Sequence, residues 1–148
     1  MFKTIVVGLD GSEPAQHALR LACDMAGKYG AGLHLVHTPQ PQTVAFAMGA
    51  VAGYHAATTM PSPDEVQAAG DKILAEGAKI AADAGQTVAG THQELGDAAN
   101  VIIEYAKGCN ADLIVTGRRG LGSVGALVQG STTQRVNHLA QCACLSVV

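Results

Sequence analysis

An apolar, largely β-branched run, Thr4-Ile-Val-Val-Gly-Leu-Asp10, constrains the fold more than any other stretch. A strand with one face in water alternates apolar and polar residues. This run does not alternate, so both its faces are buried, as in a parallel sheet covered by helices on each side. The next residues suit such a cover. Asp10-Gly11-Ser12-Glu-Pro14 turns into a helix with Ser12 as N-cap and Pro14 in the first turn; Ala15, Ala18, Leu19, Ala22, Met25 and Ala26 make its apolar stripe, and Tyr29-Gly30 ends it.

The rest of the chain repeats the alternation. Gly32–Thr38 reads as a second strand, and Ser62-Pro63-Asp64-Glu65 as a capping box that opens a helix to about Ala84, with Gly85 as its stop. Gln86–Glu94 reads as a third strand, firmest at Thr87-Val88-Ala89. Gly96-Asp97 then starts a helix with Val101, Ile102 and Tyr105 on one side and Gly108 past its end. Asp112–Thr116 is a fourth strand, a helix spans about Ser131–Ala140, and Ala143–Val148 is a last strand. Strand–helix alternation of this kind implies right-handed βαβ crossovers and an α/β fold: one doubly wound, five-stranded parallel sheet with helices on both faces. With strand 1 central and strand 4 beside it, the order is 3-2-1-4-5. Ligands bind outside the carboxyl ends of strands where such winding reverses, so Asp10 and Gly117 both open onto that crevice.

The loop after strand 4 is the chemically informative part: Gly117-Arg118-Arg119-Gly120-Leu-Gly-Ser-Val-Gly-Ala-Leu-Val-Gln-Gly130-Ser131-Thr132-Thr133. Glycines let backbone N–H groups approach an anion, and a helix start adds further unpaired amides, so the stretch describes a phosphate cradle. The P-loop of NTPases needs Lys and then Ser or Thr after its last Gly, whereas Ser131 follows Gly130. Gly120-x-Gly122-x-x-Gly125 matches the dinucleotide fingerprint in letters but opens no βαβ unit, and no acid follows Asp112. Gly117-x2-Gly120-x9-Gly130-Ser131 remains.

That spacing resembles the ATP-binding signature of the universal stress protein family, Gly-x2-Gly-x9-Gly-(Ser/Thr). The likeness covers nearly the whole chain, including the start Lys3–Ser12, the strand Leu33–His37 and the close Gln134–Ala140. One departure stands at the end, where the family usually has Cys-Pro-Val-hydrophobic-Val-Val and this chain has Cys142-Ala-Cys-Leu-Ser-Val-Val148. The resemblance implies a single domain over residues 1–148 of the adenine nucleotide alpha hydrolase-like fold. It also implies an adenine nucleotide, ATP or else ADP or AMP, along Thr116, Gly117, Arg118, Arg119, Gly120, Gly130, Ser131 and Thr132. Asp10 would lie against the adenosine part, helping to hold the ribose or a Mg²⁺ ion. Main-chain groups near Leu9, Asp10 and Thr38 would read the base, no Asn, Gln or aromatic being placed to do so. It further implies a homodimer through the last strand, 143–148, which is apolar and carries no Lys, Pro or charge to blunt a sheet edge.

Other readings fail on residues. A phosphoacceptor receiver needs clustered acids at strand 1 and a late Lys, but one acid stands there and Lys107 is the last lysine. A flavin carrier wants its phosphate loop after strand 1 and aromatics for the ring, against a chain that is 3% aromatic with no Trp. A net charge of −3 with no basic run argues against nucleic acid as a partner. The apolar core of the 39–61 segment, Val44–Tyr54, is far short of a membrane span, and the segment reads as a long connection over the strand ends. His34 and His37 face opposite sides of a strand, and the remaining histidines are scattered, so no metal site is expected. Cys23, Cys109, Cys142 and Cys144 show no C-x-x-C spacing and no signal peptide precedes Thr4, which makes a reducing cytoplasm the expected compartment. Hydrolysis needs a metal ligand, an orienter of water and compensating charge; the sequence supplies little of this, so the expected role is nucleotide-binding and regulatory, in a stress response, with weak ATPase activity or a nucleotide-dependent switch acting on a partner protein as the alternatives.

Overall fold

The computed structural model describes residues 1–41, 44, 60–119 and 130–148. Among these, five strands alternate with four helices: β1 (Thr4–Leu9), α1 (Glu13–Tyr29), β2 (Gly32–His37), α2 (Pro63–Asp83), β3 (Val88–Gln93), α3 (Ala98–Gly108), β4 (Leu113–Gly117), α4 (Ser131–Leu139) and β5 (Ala143–Val147). All pairings are parallel and the order is β3-β2-β1-β4-β5. The expected topology is therefore the observed one. Gly120 and the Val44–Tyr54 run, apart from Val44 itself, lie outside the described residues.

The two faces of the sheet carry separate cores. Ile5, Val7, Leu9, Leu33, Leu35, Leu113 and Val115 pack under α1 and α2, whereas Val6, Val36 and Ile114 pack under α3 and α4. Both faces of β1 are buried, with Ile5, Val6 and Val7 fully enclosed, as its lack of alternation requires. Ser12 caps α1 through Ala15 N–H, Gly30 ends it at φ 66°, and Ser62 with Glu65 forms the reciprocal box that starts α2.

The third strand is shorter than expected, and the last begins at the expected Ala143. β3 begins at Val88 because Gln86 N–H is still bound to Ala81 O at 2.8 Å, which holds the chain against the end of α2. At the other end, Ala143 occupies the place of the family's usual Pro, and its N–H donates to Asp112 O at 3.3 Å. A proline there has no hydrogen to give, so the departure adds a rung at the start of β5.

Candidate functional site at the carboxyl edge of the sheet

Parallel pairing brings the carboxyl ends of β1, β2 and β4 to one edge, and β1 is where the winding reverses. Leu9 and Asp10 end β1, Thr38 follows β2, Thr116 and Gly117 end β4, and Arg118 and Arg119 continue from it. The structure thus gathers at one edge the predicted residues that fall among those described.

Gly117 sets how tightly this edge closes. A Cβ built there would lie 2.7 Å from Ala15 N and 2.8 Å from Pro14 C, so the end of β4 abuts the backbone of the first turn of α1. Gly11, at φ 84°, makes the turn from β1 into that helix, and Asp10 Oδ1 accepts from Ser12 N–H at 2.9 Å. Asp10 therefore stands in a fixed turn facing the end of β4.

The start of α4 is held with equal care. Thr133 is buried, and its hydroxyl donates to Gly117 O at 2.7 Å. Gly130 N–H donates to Arg118 O at 2.8 Å. Arg135 bridges Asp97 and Asn100 at the start of α3, and Val136 is buried in the core. A helix of nine residues would be marginal alone, so these ties fix it. The first helical residue is Ser131, the N-cap is Gly130, and no side chain among the described residues caps the helix. Since the Gly130 amide is engaged, the donors of this end are the N–H groups of Ser131, Thr132 and Thr133. Side chains of Ser12, Ser62 and Asp97 perform that capping on α1, α2 and α3.

Two residues at the end of β2 complete the edge. Thr38 is buried, and its Oγ1 has no hydrogen-bond partner among the described residues. Such an orphan costs about 1–3 kcal/mol unless something polar meets it. His37, buried beside it, donates from Nδ1 to Leu9 O at 2.7 Å, which fixes Nδ1 as the protonated nitrogen. Burial lowers its pKa, while Leu9 O and Asp10 act the other way. The ring is neutral and pins the end of β1 to β2. Periodicity alone offered no role for His37; the available signal is a polar residue ending an otherwise apolar strand. Leu9 contributes its main-chain carbonyl to this clamp, so one of the groups expected to read the base is already engaged.

Among the described residues no three His, Cys, Asp or Glu side chains converge as metal ligands, and no helix is long and apolar enough to cross a membrane. Arg118 is exposed and Arg119 half-buried at the mouth of the edge.

Fold and edge together define a doubly wound α/β architecture whose winding reverses between β1 and β4. The sequence profile of the universal stress protein family matches residues 1–147, and the chain belongs to that family. The universal stress protein in the QAH/OAS sulfhydrylase 3′ region of Thermus aquaticus is 35% identical over 152 aligned residues, covering 99% of each chain. Among solved structures, a universal stress protein in complex with cAMP superposes with a TM-score of 0.70 at 24% identity, covering 99% of this chain and 97% of that one. A universal stress protein from Archaeoglobus fulgidus in complex with dAMP gives 0.68 at 20% identity, covering 99% and 98%. These two similarities support the fold.

Proposed function

We propose that the chain binds an adenine nucleotide in the crevice at the ends of β1, β2 and β4, with ATP the first candidate and ADP or AMP the alternatives. Its role would be regulatory, within a stress response. The observation that carries this reading is the start of α4, where three amides have no side-chain cap while the helix is anchored on Gly117 and Arg118. Phosphate oxygens suit such amides and the positive end of the helix. The orphaned Thr38 hydroxyl suits a polar atom of the ligand, and Asp10 suits the ribose or a Mg²⁺ ion bridging to phosphate. The complexes of family members with cAMP and dAMP favour the adenosine part.

Gly130 supplies the test, because its φ of −57° and ψ of 140° are open to any residue. Gly130→Val should keep the fold and place a branched side chain where phosphate must approach. Calorimetry should then show at least about a tenfold loss of ATP affinity, about 1.4 kcal/mol. Unchanged affinity in a folded variant would remove the cradle from this loop. Titrating ATP, ADP, AMP and cAMP against the unmodified chain ranks the ligands, and phosphate release with Mg²⁺ tests the weak ATPase alternative.

The same reading includes a homodimer through β5, an edge strand without charge or proline. Ala143 N–H turns inward to Asp112, so by the alternation of a ladder the N–H groups of Cys144 and Ser146 face outward. Ser146→Pro removes one outward donor without touching the β4 ladder, and should give monomers in sedimentation. A Ser146→Pro chain that remains dimeric places the interface elsewhere.

A further inference from the structure

Three of the four cysteines meet at one corner of the α3/α4 face. Cys109 is the C-cap of α3, Cys142 immediately precedes β5, and Cys144 lies within it. All three are half-buried against the cluster that contains Ile114 and Val136. The main chain accounts for the meeting. Ala111 N–H donates to Ala106 O at 2.8 Å, folding the chain back after α3, and Ala143 N–H donates to Asp112 O, so Cys142 stands beside the turn that Cys109 begins. Burial, then the Asp112 carboxylate, then the Cys109 thiol push the Cys142 thiol's pKa up, so the two sulfurs share one electrostatic environment.

Cys144 is a different case. Its Sγ is directed to Val136 O at 3.8 Å and Cys142 O at 3.7 Å. Residues two apart on a strand have parallel Cβ vectors about 6.6 Å apart. A disulfide needs Cβ atoms about 3.5–4.5 Å apart, so Cys142 and Cys144 cannot bridge without breaking β5.

We propose that Cys109 and Cys142 are a redox pair which closes an intramolecular disulfide on meeting a low-molecular-weight disulfide of the glutathione class, with Cys144 taking no part. Cys109 is the attacking group. Burial raises its pKa and its thiol donates to Ala106 O at 3.6 Å, but unlike Cys142 it is not pushed up further by the Asp112 carboxylate, so its thiolate is the less disfavoured of the two. The Cys109 thiolate attacks one sulfur of the small disulfide, that S–S bond breaks, and one small thiolate leaves. Cys142 loses its proton to water and attacks the Cys109 sulfur of the mixed disulfide, expelling the second small thiolate. Two protein thiols are oxidised and one small disulfide is reduced to two thiols. The bridge closes a loop over residues 110–141, which contains β4, the glycine-rich loop and α4. It thereby tightens the segment to which the nucleotide reading assigns the phosphates, although the pairing stands independently of that reading.

The test is to incubate the full chain with excess oxidised glutathione at mildly alkaline pH, quench with acid, block free thiols and map the peptides. Cleavage after Lys107, Arg118 and Arg135 yields fragments 108–118 and 136–148, which should be joined in monomeric protein while Cys23 stays reduced. Cys144→Ser should keep that link. Cys142→Ser should trap one glutathione on Cys109. The oxidised chain should unfold at a higher temperature, reversed by a reducing thiol. A bridge confined to 136–148, a bridge between chains, or four thiols surviving the excess would each overturn the proposal. Peptides from the unmutated chain decide the matter even if a variant fails to fold.

Discussion

Gly117→Ala tests the claim that β4 and the first turn of α1 are in backbone contact. The added methyl would sit 2.7 Å from Ala15 N, 2.8 Å from Pro14 C and 3.1 Å from Pro14 Cβ. None of these can rotate away, so the helix must move. Overpacking typically costs about 1–3 kcal/mol, and a clash with backbone belongs at the top of that range, about 3 kcal/mol. Gly8→Ala is the control. Its methyl would lie 2.8 Å from Ile102 Cδ1, the end of a flexible side chain, with Thr116 Cγ2 at 3.4 Å. Neither glycine has a positive φ, and both substitutions restrict the unfolded chain alike. Their difference therefore isolates the contact. Urea unfolding at 25 °C should place Gly117→Ala about 2 kcal/mol or more below Gly8→Ala, and heating should lower its midpoint by about 6–12 °C. Two variants within about 0.5 kcal/mol of each other would refute the rigid contact.

Thr38→Val should leave the ligand-free chain as stable or stabilise it by up to about 1 kcal/mol, because a buried hydroxyl without a partner is replaced by a methyl of the same shape. The same variant should bind adenine nucleotide more weakly; a loss of stability on urea unfolding would mean that the hydroxyl has a partner in the fold. Burial lowers the folded pKa of His37, and of His34, below the unfolded value of about 6.5, so the unfolded state takes up protons first as pH falls. Stability should be full above about pH 6.5 and decline below it, and equal urea midpoints at about pH 7.5 and about pH 5.5 would contradict this.

Much of the fold was legible because its signals are local. The unbroken apolar run of β1, the Ser12 and Ser62 caps and the Gly30 stop each depend on residues within one turn of one another. Where a distant bond decides, the sequence was silent. β3 starts at Val88 and not Gln86 because of a hydrogen bond back to Ala81, which no propensity records. The candidate site divides in the same way. Its location followed from strand order and glycine spacing, but the clamp of His37 on Leu9 O and the engagement of Gly130 N–H by Arg118 O are long-range contacts. Gly117 illustrates the limit best: in the sequence it is the first glycine of a phosphate loop, whereas in the structure its lack of a side chain also lets a helix approach.

The peptide units on either side of Arg118 connect the two regions to which function is assigned. Arg118 N–H donates to Val147 O at 2.6 Å, at the end of β5, and Arg118 C=O accepts from Gly130 N–H at 2.8 Å, at the start of α4. Asn137 on α4 adds a bond to Ser146 Oγ at 3.0 Å, and His17 on α1 reaches Val148 O at 3.3 Å. A shift of β5 along β4 therefore cannot leave the first turn of α4 unmoved, because one residue serves as donor to the strand and acceptor for the helix. Anything that favours one position of β5, such as pairing with a second copy, acts on the amides of Ser131, Thr132 and Thr133. By linkage, a phosphate that favours one position of those amides acts on β5 with the same free energy. The edge strand and the start of α4 are tied through Arg118 and through the Asn137–Ser146 bond, so the proposed nucleotide site and the proposed dimer edge should respond to one another.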